Sequence, residues 1–159
     1  MDELYLSYLG VLNELAGTLD RLSELSRQKA DTVRQDDLIA LDEVLKQEQA
    51  MALNLRGLEQ RRLKLVPQLG LDGVPLSGLV AHCPEHLQAQ AEQTAQTLQF
   101  SYTTYRSCAD MARNVLELNL HQIDRFIEAA GVDPKLAAAG YEAVPTAEPP
   151  KNMKTDFRA

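Results

Sequence analysis

Three side chains of the types that bind transition metals lie within the short sequence HCPEH: His82, Cys83 and His86. Thiolate and imidazole are the ligands that zinc prefers, but a structural zinc site takes four ligands at recognisable spacing. Pro84 divides this cluster between a loop and a helix start, and no fourth ligand is evident. We therefore interpret the segment as a capping region before a helix, and we expect neither a metal nor any other cofactor.

Glu117 and His121 are the next candidate for a reactive site, because their spacing places them on one face of a helix. Both fall on the polar side of that helix, which favours a solvated pair over an acid–base site. The sequence also has no Gly-rich phosphate loop, no nucleophile elbow and no Glu-x-x-His pairs for a di-iron centre. These patterns predict a protein that is not an enzyme.

The composition excludes several classes of partner. The 159 residues carry a net charge of −7, so we expect no binding to nucleic acid or to anionic lipid, both of which attract clustered Lys and Arg. The first residues carry acids where a signal peptide carries bases, and no apolar run is long enough to insert into a membrane. We therefore expect a cytoplasmic location, with Cys83 and Cys108 as buried thiols.

The elements that position these residues are helices. Apolar residues recur every three or four positions from the start of the chain and predict a first helix over about 2–35. They are Leu4, Tyr8, Val11, Leu15, Leu19, Leu22 and Val33. Asp36 and Asp37 then supply capping acids for a second helix over about 37–68. Its apolar run consists of Leu38, Leu41, Leu45, Ala52 and Leu63, flanked by Leu53, Leu55, Leu58 and Val66.

The second helix is expected to end where GLDGVPLSG brings three glycines and a proline together. PLSGLVAH follows and predicts a short helical turn. A third long helix over about 84–130 should begin at Pro84 and end at Gly131, because neither Pro nor Gly interrupts it. Residues 132–159 contain four of the seven prolines and no amphipathic period, so we expect a flexible tail after a helical domain of residues 1–131.

No β-alternation of useful length occurs, and the predicted fold class is all-α. Three long helices with short connections should form an elongated, antiparallel, coiled-coil-like three-helix bundle.

The third helix carries two apolar stripes instead of one. The first stripe is Cys108, Met111, Val115, Leu118, Phe126 and Ala129. The second stripe is Tyr102, Tyr105, Ala109, Ala112, Leu116, Leu120, Ile123 and Ile127. Their centres lie about 100° to 140° apart on the helix, so one stripe can serve the bundle while the other needs a second neighbour.

That second neighbour is either another helix of the same chain or a separate protein. In a three-helix bundle each helix touches two others, which explains a broad apolar face without any partner. Length favours the separate protein, because the third helix is about a dozen residues longer than the other two and its far end should extend past their cover.

The order of these segments resembles the FlgN family of flagellar export chaperones. The resemblance rests on RQDDLIALDEVLKQEQAMALNLRGLEQRRLKLVPQLGL over 34–71, on PLSGLV, on VLELNLHQIDRFI over 115–127, and on the ending KTDFRA. Two departures stand out. Ala109 and Ala112 occupy positions where many members have asparagine, and Tyr141 lies in GYEAVPT instead of a Tyr-Gly-x-x-Gly context.

The resemblance implies a cytoplasmic chaperone that binds hook–filament junction proteins before their secretion by the flagellar type III export apparatus. The C-terminal segment of such a client, as an amphipathic helix, would lie against the second stripe. The resemblance also implies a contact with the export gate, for which Tyr141 is the candidate residue. The alternative is a structural protein, a coiled-coil adaptor that forms a homodimer through the same stripe and has no export client.

Overall fold

Residues 1–131 are those that the computed structural model describes, and the predicted tail of residues 132–159 lies outside them. Over residues 1–131 the chain is all-helical and has no strand. The α-helices are α1 (Asp2–Arg34), α2 (Leu38–Gln68), α3 (Leu79–His82) and α4 (Gln88–Ala130). Two short 3-10 turns, Leu76–Gly78 and Glu85–Leu87, precede α3 and α4.

The helix boundaries follow local capping chemistry. The side chain of Asp37 accepts a hydrogen bond from the backbone N–H of Ala40 at 3.0 Å, which satisfies one of the free donors at the start of α2. Asp36 makes the turn before it with a positive φ of 53°, a conformation that Asp adopts more readily than most residues. At the other end of the chain, Gly131 ends α4 with a φ of 72°. The predicted limits of the three long helices therefore differ from the observed ones by no more than four residues.

The helix α1 is the central element, because α2 and α4 both pack along it while their own backbones hardly approach each other. α2 runs antiparallel to α1: Arg61 meets Glu14 at 3.2 Å near one end, and Lys29 meets Glu48 at 2.8 Å toward the other. Because α1 has neighbours on two sides, its buried surface is much wider than that of α2 or α4.

The main core lies in the first two thirds of α1 and is dominated by leucine. Leu9, Leu15 and Leu19 are completely buried in it. The connection between α2 and α4 contributes Leu71, Leu79 and other leucines to the same cluster, so it folds over the helices instead of looping into solvent. Burial of this apolar surface is the main stabilising contribution to the fold.

The buried face of α2 differs from the predicted apolar run. Leu38 and Leu63 are 70% and 43% exposed, while Val44, Leu55 and Leu58 are buried. The buried face also includes charged side chains, Glu48, Glu59 and Arg62. These charges interrupt the apolar period in the sequence, and the predicted run therefore followed the wrong side of the helix at its two ends.

Candidate functional site

The packing of α4 on α1 is close, because α4 presents small side chains at heptad spacing. Thr94, Ser101 and Cys108 are seven residues apart and all buried, and Ala91 and Ala112 beside them are completely buried. Residues repeated every seven positions form the seam of a coiled coil. The α1-facing side of α4 up to Ala112 is therefore used by the fold itself, and Phe100 is the large apolar side chain of this part that stays exposed.

Two contacts fix the register of α1 and α4 and show where α1 ends. Nε2 of His86, just before α4, lies 3.1 Å from Oδ2 of Asp2 at the start of α1. At the other end, the guanidinium of Arg34 lies 3.9 Å from the Sδ atom of Met111. The two helices are thus parallel, and α4 continues well beyond the last residue of α1.

We call the end of the bundle that holds Tyr5 and residues 69–87 the near end. The far end consists of residues 31–46, which form the turn from α1 into α2, and residues 115–130 of α4.

The structure divides the predicted client-binding row into two parts. Tyr102 and Tyr105 belong to the main core, Ala109 packs against it, and Ala112 is completely buried. These four side chains lie alongside α1, which explains their burial. They offer no free surface, and only the second part of the row remains as a candidate site.

The second part of the row lies at the far end, with a graded exposure. Leu120 is 38% exposed, and Leu116 and Ile123 are half-buried. Ile127 is buried, at 8% exposure. These residues share one side of α4 with Ala109, next to the seam. The heptad positions that pack on α1 continue as Val115, Asn119 and Gln122, which line the groove beside the end of α1.

The first stripe, which the sequence predicts to pack inside the bundle, is partly exposed to solvent. Cys108 is buried, but Leu118 and Phe126 are 61% and 74% exposed. Val115 and Leu118 line a groove of about 380 Å³ between α4 and the end of α1, together with Val33, Arg34, Asp36, Asn119 and Gln122. This volume lies within the range of ordinary ligand pockets, about 300 to 1,000 Å³.

The last groove residue on α4 is Gln122, and residues 123–130 extend past it. Eight residues correspond to about 12 Å of helix. The far end therefore combines a groove with a projecting helix. Its large exposed apolar side chains are Leu38, Ile39, Leu118, Leu120 and Phe126.

Two buried ion pairs lie within the bundle. The spacing of Glu59 and Arg62 indicates the pair within α2, but no sequence pattern revealed the pair between α1 and α2. Lys29 of α1 donates two hydrogen bonds to Glu48 of α2, at 2.8 and 3.0 Å, with both side chains almost fully buried. Arg62 donates two more to Glu59, at 2.8 and 2.9 Å. Burial disfavours the charged form of Arg62, but the hydrogen bonds and the charge of Glu59 outweigh it and raise the pKa of Arg62.

The HCPEH segment is placed at the near end, where its side chains have structural contacts. Nδ1 of His82 lies 2.9 Å from the carbonyl oxygen of Gly78, and His86 faces Asp2. Cys83 is buried, and this burial raises the pKa of its thiol. Within residues 1–131, no three side chains of the His, Cys, Asp and Glu types form a group that could hold a metal ion.

Comparison with protein families matches residues 1–142 of the chain to the family described as FlgN protein. The chain belongs to the FlgN family. Members of this family are flagellar export chaperones, so FlgN membership gives the protein a role in flagellar biogenesis. No curated protein and no solved structure matches the chain. Among the helices of residues 1–131, none is both long and apolar enough to cross a membrane.

Proposed function

We propose that this FlgN protein is a cytoplasmic chaperone of the flagellar type III export system that binds hook–filament junction proteins. The binding surface is the far end, and the observation that supports it most strongly is that α4 continues past the end of α1 with exposed apolar side chains. Leu120 is 38% exposed there, and Leu116 and Ile123 beside it are half-buried.

The surface suits an amphipathic helix in the C-terminal segment of a client. Such a helix would lie along α4 past the end of α1, with its apolar residues against Leu120 and its neighbours. Client binding would cover side chains that otherwise favour association, including Phe126 at 74% exposure. The same contacts would keep the association-prone C-terminal segment of the client from assembling before secretion.

Release of the client is compatible with this mode of binding. The contacts are mainly apolar, with few directional groups, and ordering the client helix costs part of the contact free energy. Tyr141 and the rest of the tail lie outside the described residues. A contact of Tyr141 with the export gate is part of the proposal and rests on the family resemblance alone.

The test is a binding experiment with a purified junction protein. Replacing Leu120 and Ile123 by Asp should abolish capture of the junction protein, because two buried charges would face the apolar side of the client helix. Isothermal titration calorimetry measures the binding, and circular dichroism measures the helicity of the variant, which should stay near wild type.

The matched control places Asp at two other exposed apolar positions, Leu53 and Phe100, which are 67% and 73% exposed and lie outside the far end. This control should bind as the wild type does. Unchanged binding by the far-end variant would contradict the proposal. A loss of helicity in that variant would mean that the row belongs to the core. A stable dimer in light scattering with no affinity for junction proteins would favour the homodimeric adaptor.

A further inference from the structure

The far end carries most of the net negative charge of the protein. Residues 31–46 and 115–130 contain eight acidic and three basic side chains, a net charge of −5 out of −7 for the whole chain. The far end is therefore the region of the molecule that would attract a positively charged partner most strongly.

The basic side chains there do not neutralise this charge. Arg34 and Lys46 form ion pairs with acids of their own helices, Asp31 and Asp42. The third, Arg125, forms no ion pair within residues 1–131. Within residues 1–131, the carboxylates of Asp36, Glu117, Asp124 and Glu128 form no ion pair. Acids elsewhere are of both kinds: Glu14 and Glu59 are paired with arginines, whereas Asp72 and Glu85 form no ion pair within residues 1–131. The far end differs in its net charge and in the apolar side chains beside its acids.

The unpaired acids lie next to the apolar surface. On α4, Glu117, Asp124 and Glu128 share one face, and that face directly borders the side that holds Leu116 and Leu120. Asp36 lies in the wall of the groove on the other side of this row. An apolar strip is therefore bordered by carboxylates on both sides, none of which is ion-paired within residues 1–131; Arg34 lies beside Asp36 in the groove wall.

These acidic borders favour some binding partners of the apolar strip over others. A second copy of the chain would bring its own net charge of −5 against the same charge, and like charges placed together across an interface are costly. A helix with Lys or Arg beside its aliphatic residues would instead place cations opposite the unpaired carboxylates, while its apolar side covers Leu120.

We propose that the far end binds an amphipathic helix of a partner protein whose aliphatic residues are flanked by Lys or Arg. This inference rests on the proposed function, because it specifies the chemistry of the client segment that the same surface would bind. The charges would set the choice of partner and the rate of association, and the apolar strip would supply most of the affinity.

The experiment uses the full chain and three synthetic helical peptides that share one row of Leu and Ile. Their flanking positions carry Lys, Gln or Glu. Fluorescence anisotropy measures the affinity of each peptide at low and at moderate salt concentration. We expect the Lys peptide to bind about tenfold or more tightly than the Glu peptide, and this difference should shrink as salt screens the exposed charges.

A protein variant tests the same charges from the other side. Replacing Asp36 and Asp124 by Asn, and Glu117 and Glu128 by Gln, should weaken binding of the Lys peptide by about tenfold, since each exposed ion pair contributes modestly and four are removed together. The matched control removes four acids outside the far end, through Glu3→Gln, Asp72→Asn, Glu85→Gln and Glu92→Gln. We expect the control to bind the Lys peptide within about twofold of wild type.

Equal binding of the Lys and Glu peptides, or no binding of either, would overturn this inference. So would a dimer of the wild-type chain that Leu120→Asp dissociates, because a second copy would then be the occupant. These results are separable from the proposed function. If a junction protein still binds through Leu120 and Ile123 while flanking charge has no effect, the chaperone role stands and only the charge selection fails.

Discussion

At the near end, the connection between α2 and α4 packs leucines over the helices. At the far end, α4 continues past the last residue of α1 and exposes Leu118, Leu120 and Phe126. The near end is also closed by a hydrogen bond from the hydroxyl of Tyr5 to the carbonyl oxygen of His82, at 2.8 Å. At the far end, Leu120 and Phe126 are exposed, and Leu120 lies next to the face of α4 that holds Glu117 and Asp124. Under the proposed function, stability and recognition therefore belong to opposite ends of one bundle.

The zone between the two ends is stabilised by different contacts from those at either end. Ser23 and Ser26 of α1 are buried there, and Lys29 and Glu48 form their ion pair in the same part of the bundle. Small and polar side chains bury less apolar surface than leucine does, and they contribute less to the hydrophobic stabilisation. Three measurements test this division, beginning with the largest expected effect.

The first prediction concerns the buried ion pair. Lys29→Met should lower the free energy of unfolding by about 3 to 5 kcal/mol, because Glu48 would be left buried without its cation. The double variant with Glu48→Leu should be close to wild type or more stable by about 1 to 4 kcal/mol, since the cost of burying both charges disappears. Urea denaturation followed by circular dichroism measures both. A single variant that loses less than about 1 kcal/mol would show that water reaches this part of the bundle.

The second prediction compares one leucine from each end. Leu15 is completely buried in the main core, so Leu15→Ala should lower the free energy of unfolding by about 2 to 5 kcal/mol. Leu120 is 38% exposed at the far end, so Leu120→Ala should change the free energy of unfolding by no more than about 0.5 kcal/mol. The same denaturation experiment applies. Comparable losses for the two variants would mean that the far end is a structural core after all.

The third and smallest effect is a pH dependence located at the near end. Burial raises the pKa of the Cys83 thiol, and burial together with the neighbouring charge of Cys83 raises the pKa of Tyr5. The folded state therefore holds these protons more tightly than the unfolded state does. The resulting stability is present at neutral pH and should be lost as the pH rises above about 8.5, the ordinary pKa of a thiol.

The control for this pH dependence is Cys83→Ala. It should flatten the decline of the free energy of unfolding above neutral pH, measured by urea denaturation at a series of pH values. The far-end variant Leu120→Ala should leave the slope unchanged. A change of slope in that variant instead would connect the far end to the alkaline sensitivity.

Much of the fold could be predicted from the sequence, because its strongest signals are local. Asp37 caps α2 and Gly131 ends α4, as residues of these types do in many proteins. The apolar period of α1 also identified its buried side. The short helical turn before α4 was recognisable from Pro75 and the apolar residues after it.

The candidate site was harder to predict, because its limits depend on contacts distant in the sequence. The pattern of α4 gives the same weight to Tyr102, which is core, and to Leu120, which is exposed. Only the register of α1 against α4 distinguishes them, and that register depends on the path of the connection between α2 and α4. The buried Lys29–Glu48 pair was missed for a similar reason, since neither charge shows in the sequence that its partner lies across the interface.

The parallel pairing of α1 with α4 has a consequence for the synthesis of the protein. The hydrogen bond between Tyr5 and His82 and the contact between Arg34 and Met111 each join positions 77 residues apart. Chains fold from the N-terminus as they leave the ribosome, and pairings distant in the sequence form slowly. The α1–α2 hairpin must therefore wait, with half of the leucine face of α1 uncovered, until translation delivers α4. During that interval the nascent protein has the same problem of unprotected apolar surface that a chaperone solves for others.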